Sequence, residues 1–335
     1  MTLSTTRAEQ RKVNQQHPEP LVSIGIPTYN RAPLLRRAIE SVLGQDYDNI
    51  ELVVSDNASS DSTRELCEEF CRRDSRVRYH RQPVNQGLTA NFTEVLRRSS
   101  GEFFMTISDD DWLDRNYVSQ CIRMLLEQPD VALVSGWVRV FEGQRQLPDA
   151  ETASFGLSGP VQLMQQSNAM RVVEFYRQVS LNYLCFGITR RDVRAMSPVS
   201  NAVGGDMMSV AAIAYLGKTQ TLESTAINYS RGGVSRDWET IAQAFGLSSF
   251  AIQNPRLNFL MSALKDILWG SPVYQTSNLI ERLSLSYRVA VIIYDRWARI
   301  DVYRNKLTRP FMRLLHKVRR MIGKVIRISA TLCSI

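Results

Sequence analysis

Residues 108–112 read Ser108-Asp109-Asp110-Asp111-Trp112 and follow directly on the apolar run Phe103-Phe104-Met105-Thr106-Ile107. Three carboxylates in a row at the end of a strand repel one another, and Asp is a poor strand former. A divalent cation neutralises such a cluster. Hard carboxylate oxygens suit Mg²⁺ or Mn²⁺, with part of the coordination shell left for phosphate oxygens. The competing reading is a solvated acidic turn, with an Asp capping a helix that starts near Asp114. The neighbouring segments bear on that choice.

Stepwise along the chain, apolar runs alternate with helical periodicity. Strands are expected at residues 21–26 (stopped by Pro27), 50–54, 77–80, 102–107 and 131–135. Helices are expected from Pro33, from Asp61 and over 88–98, with Leu34, Leu35, Ala38, Ile39 and Val42 at helical spacing in the first. This order implies βαβ units, hence an α/β fold with a mostly parallel sheet flanked by helices. Residues 142–168 carry little pattern, as a long functional loop would. Regular structure is expected to resume at 172–179, with a strand at 183–189 and a helix of small residues at 206–216 closed by Gly217. From about residue 237 the chain reads as successive helices.

In open α/β sheets ligands bind beyond the carboxyl ends of the strands. There this chain places Pro27-Thr28-Tyr29-Asn30-Arg31, then Ser55-Asp56-Asn57-Ala58-Ser59-Ser60-Asp61, then the acidic triplet. An aromatic face, amides, carboxylates, an Arg and a metal site suit a nucleoside diphosphate. No glycine-rich phosphate loop is present, so the metal is the expected phosphate handle.

The ordered strings SIGIPTYNRAPLLRRAIESVLGQDY, ELVVSDNASSDST, NQGLTANFTEVLRRSSGEF, SDDDWLDRNY and GGDMMSVAAIAYLG resemble the family 2 glycosyltransferases, over residues 21 to about 235. The resemblance implies the GT-A fold, a Rossmann-like sheet that binds nucleotide-diphospho-sugars, here with a helical C-terminal extension. It implies donor binding by Pro27, Tyr29, Asn30 and Arg31, with Asp56 or Asn57 at the base or ribose. It implies that Asp109, Asp110 and Asp111 hold Mn²⁺ or Mg²⁺ and the ribose, with Asp110 the main metal ligand. It implies that Asp206 is the catalytic base of an inverting transfer. The competing reading of Asp206 is a helix cap favoured by the helix dipole, and both roles can coexist. Two departures stand out. Asn57 stands where many relatives have a second acid. The stretch Tyr229-Ser230-Arg231-Gly232-Gly233-Val234-Ser235 lacks the late His that completes the metal shell in some relatives, which leaves Arg231 as a candidate for the diphosphate or the stretch as a lid.

Composition sets the remaining bounds. The 335 residues are enough for one large domain or two, and 44% hydrophobic content is ordinary. Five scattered cysteines and three histidines give no metal-ligand spacing, so inert thiols in a reducing cytosol are expected. From Arg296 onward there are eleven basic side chains against Asp301 alone, more than the whole chain's formal +8, so the remainder is slightly acidic. That argues against nucleic acid as a partner of the body. In residues 303–330 apolar and basic positions alternate at helical spacing, the pattern of a helix on an anionic membrane. The alternative is an apolar stripe packed on the body. The expected organisation is a disordered leader at 1–20, a catalytic unit at 21–235 (nucleotide half 21–111, acceptor half 112–235) and a helical region at 236–335. With no signal peptide or spanning segment, the expected location is cytoplasmic and peripheral to the inner face of the plasma membrane. The expected acceptor is a glycan or lipid-linked glycan of cell-surface polysaccharide. A sugar-nucleotide pyrophosphorylase would carry a glycine-rich turn after the first strand, where this chain has Pro27-Thr28-Tyr29-Asn30. A non-catalytic membrane adaptor would have no need of three acids and Asp206.

Overall fold

A computed structural model of the chain describes residues 19–148, 159–231 and 238–298. The nucleotide half is built from β1 (Val22–Thr28), α1 (Ala32–Leu43), β2 (Ile50–Asp56), α2 (Thr63–Arg73), β3 (Val77–Arg81), α3 (Leu88–Arg98) and β4 (Phe103–Thr106). The four strands lie in the order β3-β2-β1-β4, all parallel. Every residue of β1, β2 and β4 is buried, as helix-covered parallel strands require. Gly25 lets α3 approach β1 closely: a Cβ there would lie 2.8 Å from Val95.

β1 runs through Pro27 to Thr28, beyond the expected stop. Pro27 has no N–H, and the pairing of β1 with β4 ends at Gly25 and Thr106. β1 continues along β2 as far as Asp56. The acidic residues after β4 are thereby released from the sheet as a turn.

The second half comprises β5 (Trp112–Leu113), α4 (Tyr117–Glu127), β6 (Val131–Glu142), β7 (Arg145–Gln146), β8 (Gln162–Leu163), α5 (Asn168–Gln178), β9 (Ile188–Arg190), α6 (Arg191–Met196), α7 (Gly205–Leu216) and β10 (Lys218–Ser230). β9 pairs antiparallel with both β4 and β6 and stitches the two halves into one sheet. β10 lies parallel to β6, and β5 closes its far side antiparallel. The sheet is thus parallel in the nucleotide half and mixed beyond β4. Residues 183–189 differ from the expected strand: Tyr183–Phe186 is a 3₁₀ turn, followed by the short β9. β10 was not expected at all, because its Thr-rich pattern lacks a continuous apolar signal. Trp137 packs on the core, edge-on to Tyr183 with ring centroids 5.5 Å apart.

Helices α8 (Trp238–Ala244), α9 (Ser249–Gln253), α10 (Pro255–Lys265) and α11 (Leu279–Ile293) follow. They pack on the body through α5. Arg296 donates to the carbonyls of Tyr176, Arg177 and Val179, and Phe259 contacts the ring of Tyr176. Phe259 also lies under Gly204, whose φ of +70° and lack of a side chain admit it; a Cβ there would fall 2.4 Å from the ring. The start of α7 is therefore seated on the helical region. No helix among the described residues is long and apolar enough to cross a membrane. Of the expected leader at 1–20, residues 1–18 lie outside the described residues, as does the basic tail at 303–335, while the carbonyls of Glu19 and Pro20 accept from Asn49 and Tyr47.

Candidate donor and acceptor site

The loops after β1 and β2 are tied to each other. Asn30 Oδ1 accepts from the Ser60 N–H at 2.7 Å, and the Asn30 N–H donates to Ser59 Oγ at 2.9 Å. Asp61 accepts from the N–H groups of Ala32 and Thr63, at 3.1 Å each, and so caps both α1 and α2. Asn30 and Ala58 adopt positive φ of 54° and 65°. Asn tolerates that region, but Ala does so at a cost of roughly 1–2 kcal/mol. The strain sits in the loops that the fold presents to a ligand. The Tyr29 ring projects from the first of these loops, 45% exposed.

Asp56 is fully buried. Its Oδ1 accepts from the Ser59 N–H and its Oδ2 from the Tyr79 hydroxyl at 2.7 Å, with Arg81 3.6 Å away. Burial, with Asp56 beside it, pushes the Tyr79 hydroxyl well above its ordinary pKa. Asn57 is likewise engaged, donating to Asn85 Oδ1 at 2.8 Å and accepting from the Gln86 N–H at 2.8 Å. Both residues hold the loop after β2, and Arg81 also donates to the Ser59 carbonyl of that loop.

The acidic turn converges on two arginines. Arg31 donates to Asp109 Oδ1 at 3.3 Å and to Asp110 Oδ2 at 2.8 Å. Asp109 Oδ2 accepts from Thr28 at 2.8 Å. Arg37, from the middle of α1, lies 3.6 Å from the Trp112 ring centroid and donates to the Asp110 carbonyl and Ser230 Oγ. Asp111 is fully buried, and its Oδ1 accepts from the Ser230 N–H at 2.7 Å. Its Oδ2 is buried with no hydrogen-bond partner. Desolvation pushes the Asp109 carboxyl up to about 6, Asp110 adding to the rise while Arg31 and Thr28 oppose it. Desolvation and the charge of Asp110 raise Asp111 well above the usual carboxylate range. The turn therefore pairs two of its carboxylates with Arg31, disfavours full ionisation of the buried pair Asp109 and Asp111, and leaves one orphaned carboxylate oxygen. Among the described residues no three His, Cys, Asp or Glu side chains are grouped to hold a metal by themselves, so a cation there needs ligands from outside the triplet.

Asp206 lies in the first turn of α7, behind the N-cap Gly204 and the first helical residue Gly205, and its Oδ2 accepts from Asn182 Nδ2 at 2.8 Å. Burial raises its pKa; the Asn182 hydrogen bond and the charge of Arg194 oppose the rise. Cys185, in the turn after Asn182, is raised by burial and further by the charges of both Asp206 and Asp111. The thiol thus lies within electrostatic reach of both Asp111 and Asp206. Arg231 sits at the end of β10, with its guanidinium 3.7 Å from Glu142. The rest of the expected lid, residues 232–237, lies outside the described residues.

Sequence reasoning did not single out Arg37, Thr28, Tyr79, Arg81 or Asn182. Each acts through a partner distant in sequence, so no local spacing signals it.

The family model described as Glycosyl transferase family 2 matches residues 23–194, which include the donor loops and the acidic turn but not Asp206. Glycosyltransferase GlyA of Streptococcus pneumoniae is 34% identical over 113 residues, 33% of this chain and 16% of that protein. The GalNAc(5)-diNAcBac-PP-undecaprenol beta-1,3-glucosyltransferase of Campylobacter jejuni is 39% identical over 95 residues, 28% of this chain and 31% of that protein. The chain therefore spans under a third of the length of either relative. The solved structure of TarS residues 1–349 from Staphylococcus aureus superimposes with a TM-score of 0.59 at 14% identity, over 85% of this chain and 74% of that one. That likeness is one of fold.

Proposed function

The chain belongs to glycosyltransferase family 2, and from that premise we propose that it is an inverting, metal-assisted transferase moving a sugar from a nucleoside diphosphate to a glycan or lipid-linked acceptor. The observation that carries this reading is the acidic turn after β4, where Asp109 and Asp110 share Arg31 and Asp111 keeps one buried carboxylate oxygen without a hydrogen-bond partner. Asp206, at the start of α7 with Asn182 donating to it, is the second carboxylate the reading uses.

In this reading Tyr29 offers its exposed ring to the nucleotide, and Asn30, Asp56 and Asn57 hold the loops around it. Arg31 and Arg231 are the cations this reading assigns to the diphosphate. Pro27 ends the pairing of β1 with β4 and so frees the turn. Among the three acids the Asp110 side chain is the most open, at 13% exposure, and it is the leading ligand for Mn²⁺ or Mg²⁺, with Asp109 and Asp111 completing the charge. Such an ion, when bound, would neutralise the charge of the leaving diphosphate. Asp206 accepts the proton of the acceptor hydroxyl as that oxygen attacks the anomeric carbon from the face opposite the diphosphate.

An acceptor in cell-surface polysaccharide synthesis is supported by the named activity of the Campylobacter relative and by a putative colanic acid biosynthesis enzyme of Escherichia coli, 36% identical over 100 residues. We take residues 21–235 as the catalytic unit and 236–335 as the helical region, with the basic tail binding the inner membrane face. Thermal-shift measurements against UDP-, GDP-, dTDP- and CMP-sugars, with and without Mn²⁺, test the donor reading. One nucleoside diphosphate sugar should raise the Tm, and raise it more with Mn²⁺. No shift with any of them would sink the proposal.

A further inference from the structure

We propose that Asn182 is the positioning residue of the proton-accepting carboxylate, its amide holding Asp206 in place both before and after proton transfer. This rests on the reading of Asp206 as the base. Asn182 is only 8% exposed, and it caps the turn Tyr183–Phe186 rather than belonging to the helix that carries Asp206. That turn is firmly anchored. The Tyr183 hydroxyl accepts from the Val161 N–H at 3.1 Å and lies 3.2 Å from Thr221 Oγ1, while the Tyr117 hydroxyl donates to the Phe186 carbonyl at 3.0 Å. The amide is thus delivered to Asp206 by a hydrogen-bonded turn that leads into β9, in the middle of the sheet.

The chemistry of an amide suits the task. Nδ2 donates to the ionised carboxylate at 2.8 Å, while Asn182 Oδ1 is buried without a hydrogen-bond partner. An amide carries both donors and an acceptor. Once Asp206 has taken a proton, a half-turn of the amide presents Oδ1 to the new carboxyl O–H. The unpartnered oxygen then has a use, and the side chain serves either protonation state; an alkyl group serves neither.

Other groups also act on Asp206. Arg194, on α6, is 6% exposed, donates to Ser209 Oγ at 3.2 Å and contributes its positive charge. Cys185 on the turn and Tyr176 on α5 feel the charge of Asp206, and both stay protonated because burial raises their pKa values. Asn182 is the largest influence opposing the rise that burial imposes on Asp206. Removing it should raise the carboxyl further and move the acid limb of activity to higher pH.

Carboxyl-carbon NMR of the full chain labelled with [γ-¹³C]aspartate tests this without any substrate. The Asp206 signal is the one lost in Asp206→Asn. Its titration midpoint should rise by about one unit or more in Asn182→Ala, the scale of one lost charge-assisted hydrogen bond. Asn182→Ser, a shorter donor, should fall between wild type and Asn182→Ala, and it carries the test alone if the Ala variant does not fold. A folded Asn182→Ala with an unmoved midpoint would overturn the proposal, since a merely structural role would lower Tm and leave the midpoint alone. Full turnover by Asp206→Asn, with the donor selected by the thermal-shift screen, would instead overturn the base reading. The two failures are read from different samples.

Discussion

The guanidinium of Arg37 stacks on Trp112 at 3.6 Å and from there donates to the Asp110 carbonyl, at 2.8 Å. The same side chain reaches Ser230 Oγ at 3.1 Å, so one residue of α1 ties the acidic turn to the end of β10. Arg37→Met removes a cation–π contact and two hydrogen bonds, and should lower stability by about 1–3 kcal/mol. Because the turn loses its tether, donor affinity with Mn²⁺ should fall about tenfold. Arg37→Lys keeps the charge but not the planar fork, and should recover only part of this. Unchanged donor affinity in Arg37→Met would reduce the contact to ordinary packing.

Asp110→Ala tests the acidic turn itself. It should abolish transfer and remove the Mn²⁺-dependent part of nucleotide binding, while the fold persists, because Asp110 contributes only partly exposed contacts to Arg31. Thermal shifts with donor, with and without Mn²⁺, read the outcome. A folded variant whose Mn²⁺-dependent shift equals that of wild type would remove Asp110 from the metal site.

Asp266, where α10 passes into the π-helical turn Asp266–Gly270, gives a pH dependence from a residue outside the proposed site. Burial pushes its carboxyl up to about 6, so the folded chain holds this proton more tightly than the unfolded one. Folding is therefore favoured at low pH by this group, and that contribution is lost as pH rises from about 4 through 6. Asp266→Asn should leave stability near pH 4 unchanged and raise it above pH 6 by on the order of 1–2 kcal/mol, allowing for screening of a partly exposed group. Urea unfolding at pH 4, 6 and 8 measures it, and a gain that is the same at all three would contradict the assignment.

The tail is tested by truncation. Deleting residues 303–335 should abolish salt-sensitive binding to anionic liposomes, since each basic residue near such a surface contributes on the order of 1 kcal/mol, screened over about 8 Å at physiological ionic strength. Transfer to a soluble acceptor analogue should survive. Equal sedimentation of both proteins with liposomes would rule out the tail as the anchor, and loss of soluble activity would make it part of the folded body.

The alternation of buried strands and amphipathic helices from Val22 to Thr106 was legible in the sequence because each element carries its own period. Continuous apolar runs mark β1, β2 and β4, and Leu35, Ala38, Ile39 and Val42 mark one face of α1. The acidic triplet was legible for the same local reason: adjacent like charges need an explanation wherever they fold. Asp206 stood out only through its surroundings in a resembling string. β10 and the turn Tyr183–Phe186 were not legible. The Thr and Asn side chains of β10 are buried only because β6 and β5 close on either side of it, and the Tyr183 segment gives up strand pairing to anchor its hydroxyl near Thr221. Arg37 with Ser230, and Asn182 with Asp206, were likewise decided by tertiary structure alone. A hydrogen bond between residues far apart in the chain leaves no periodicity; its partner exists only once the sheet has brought the two backbones together.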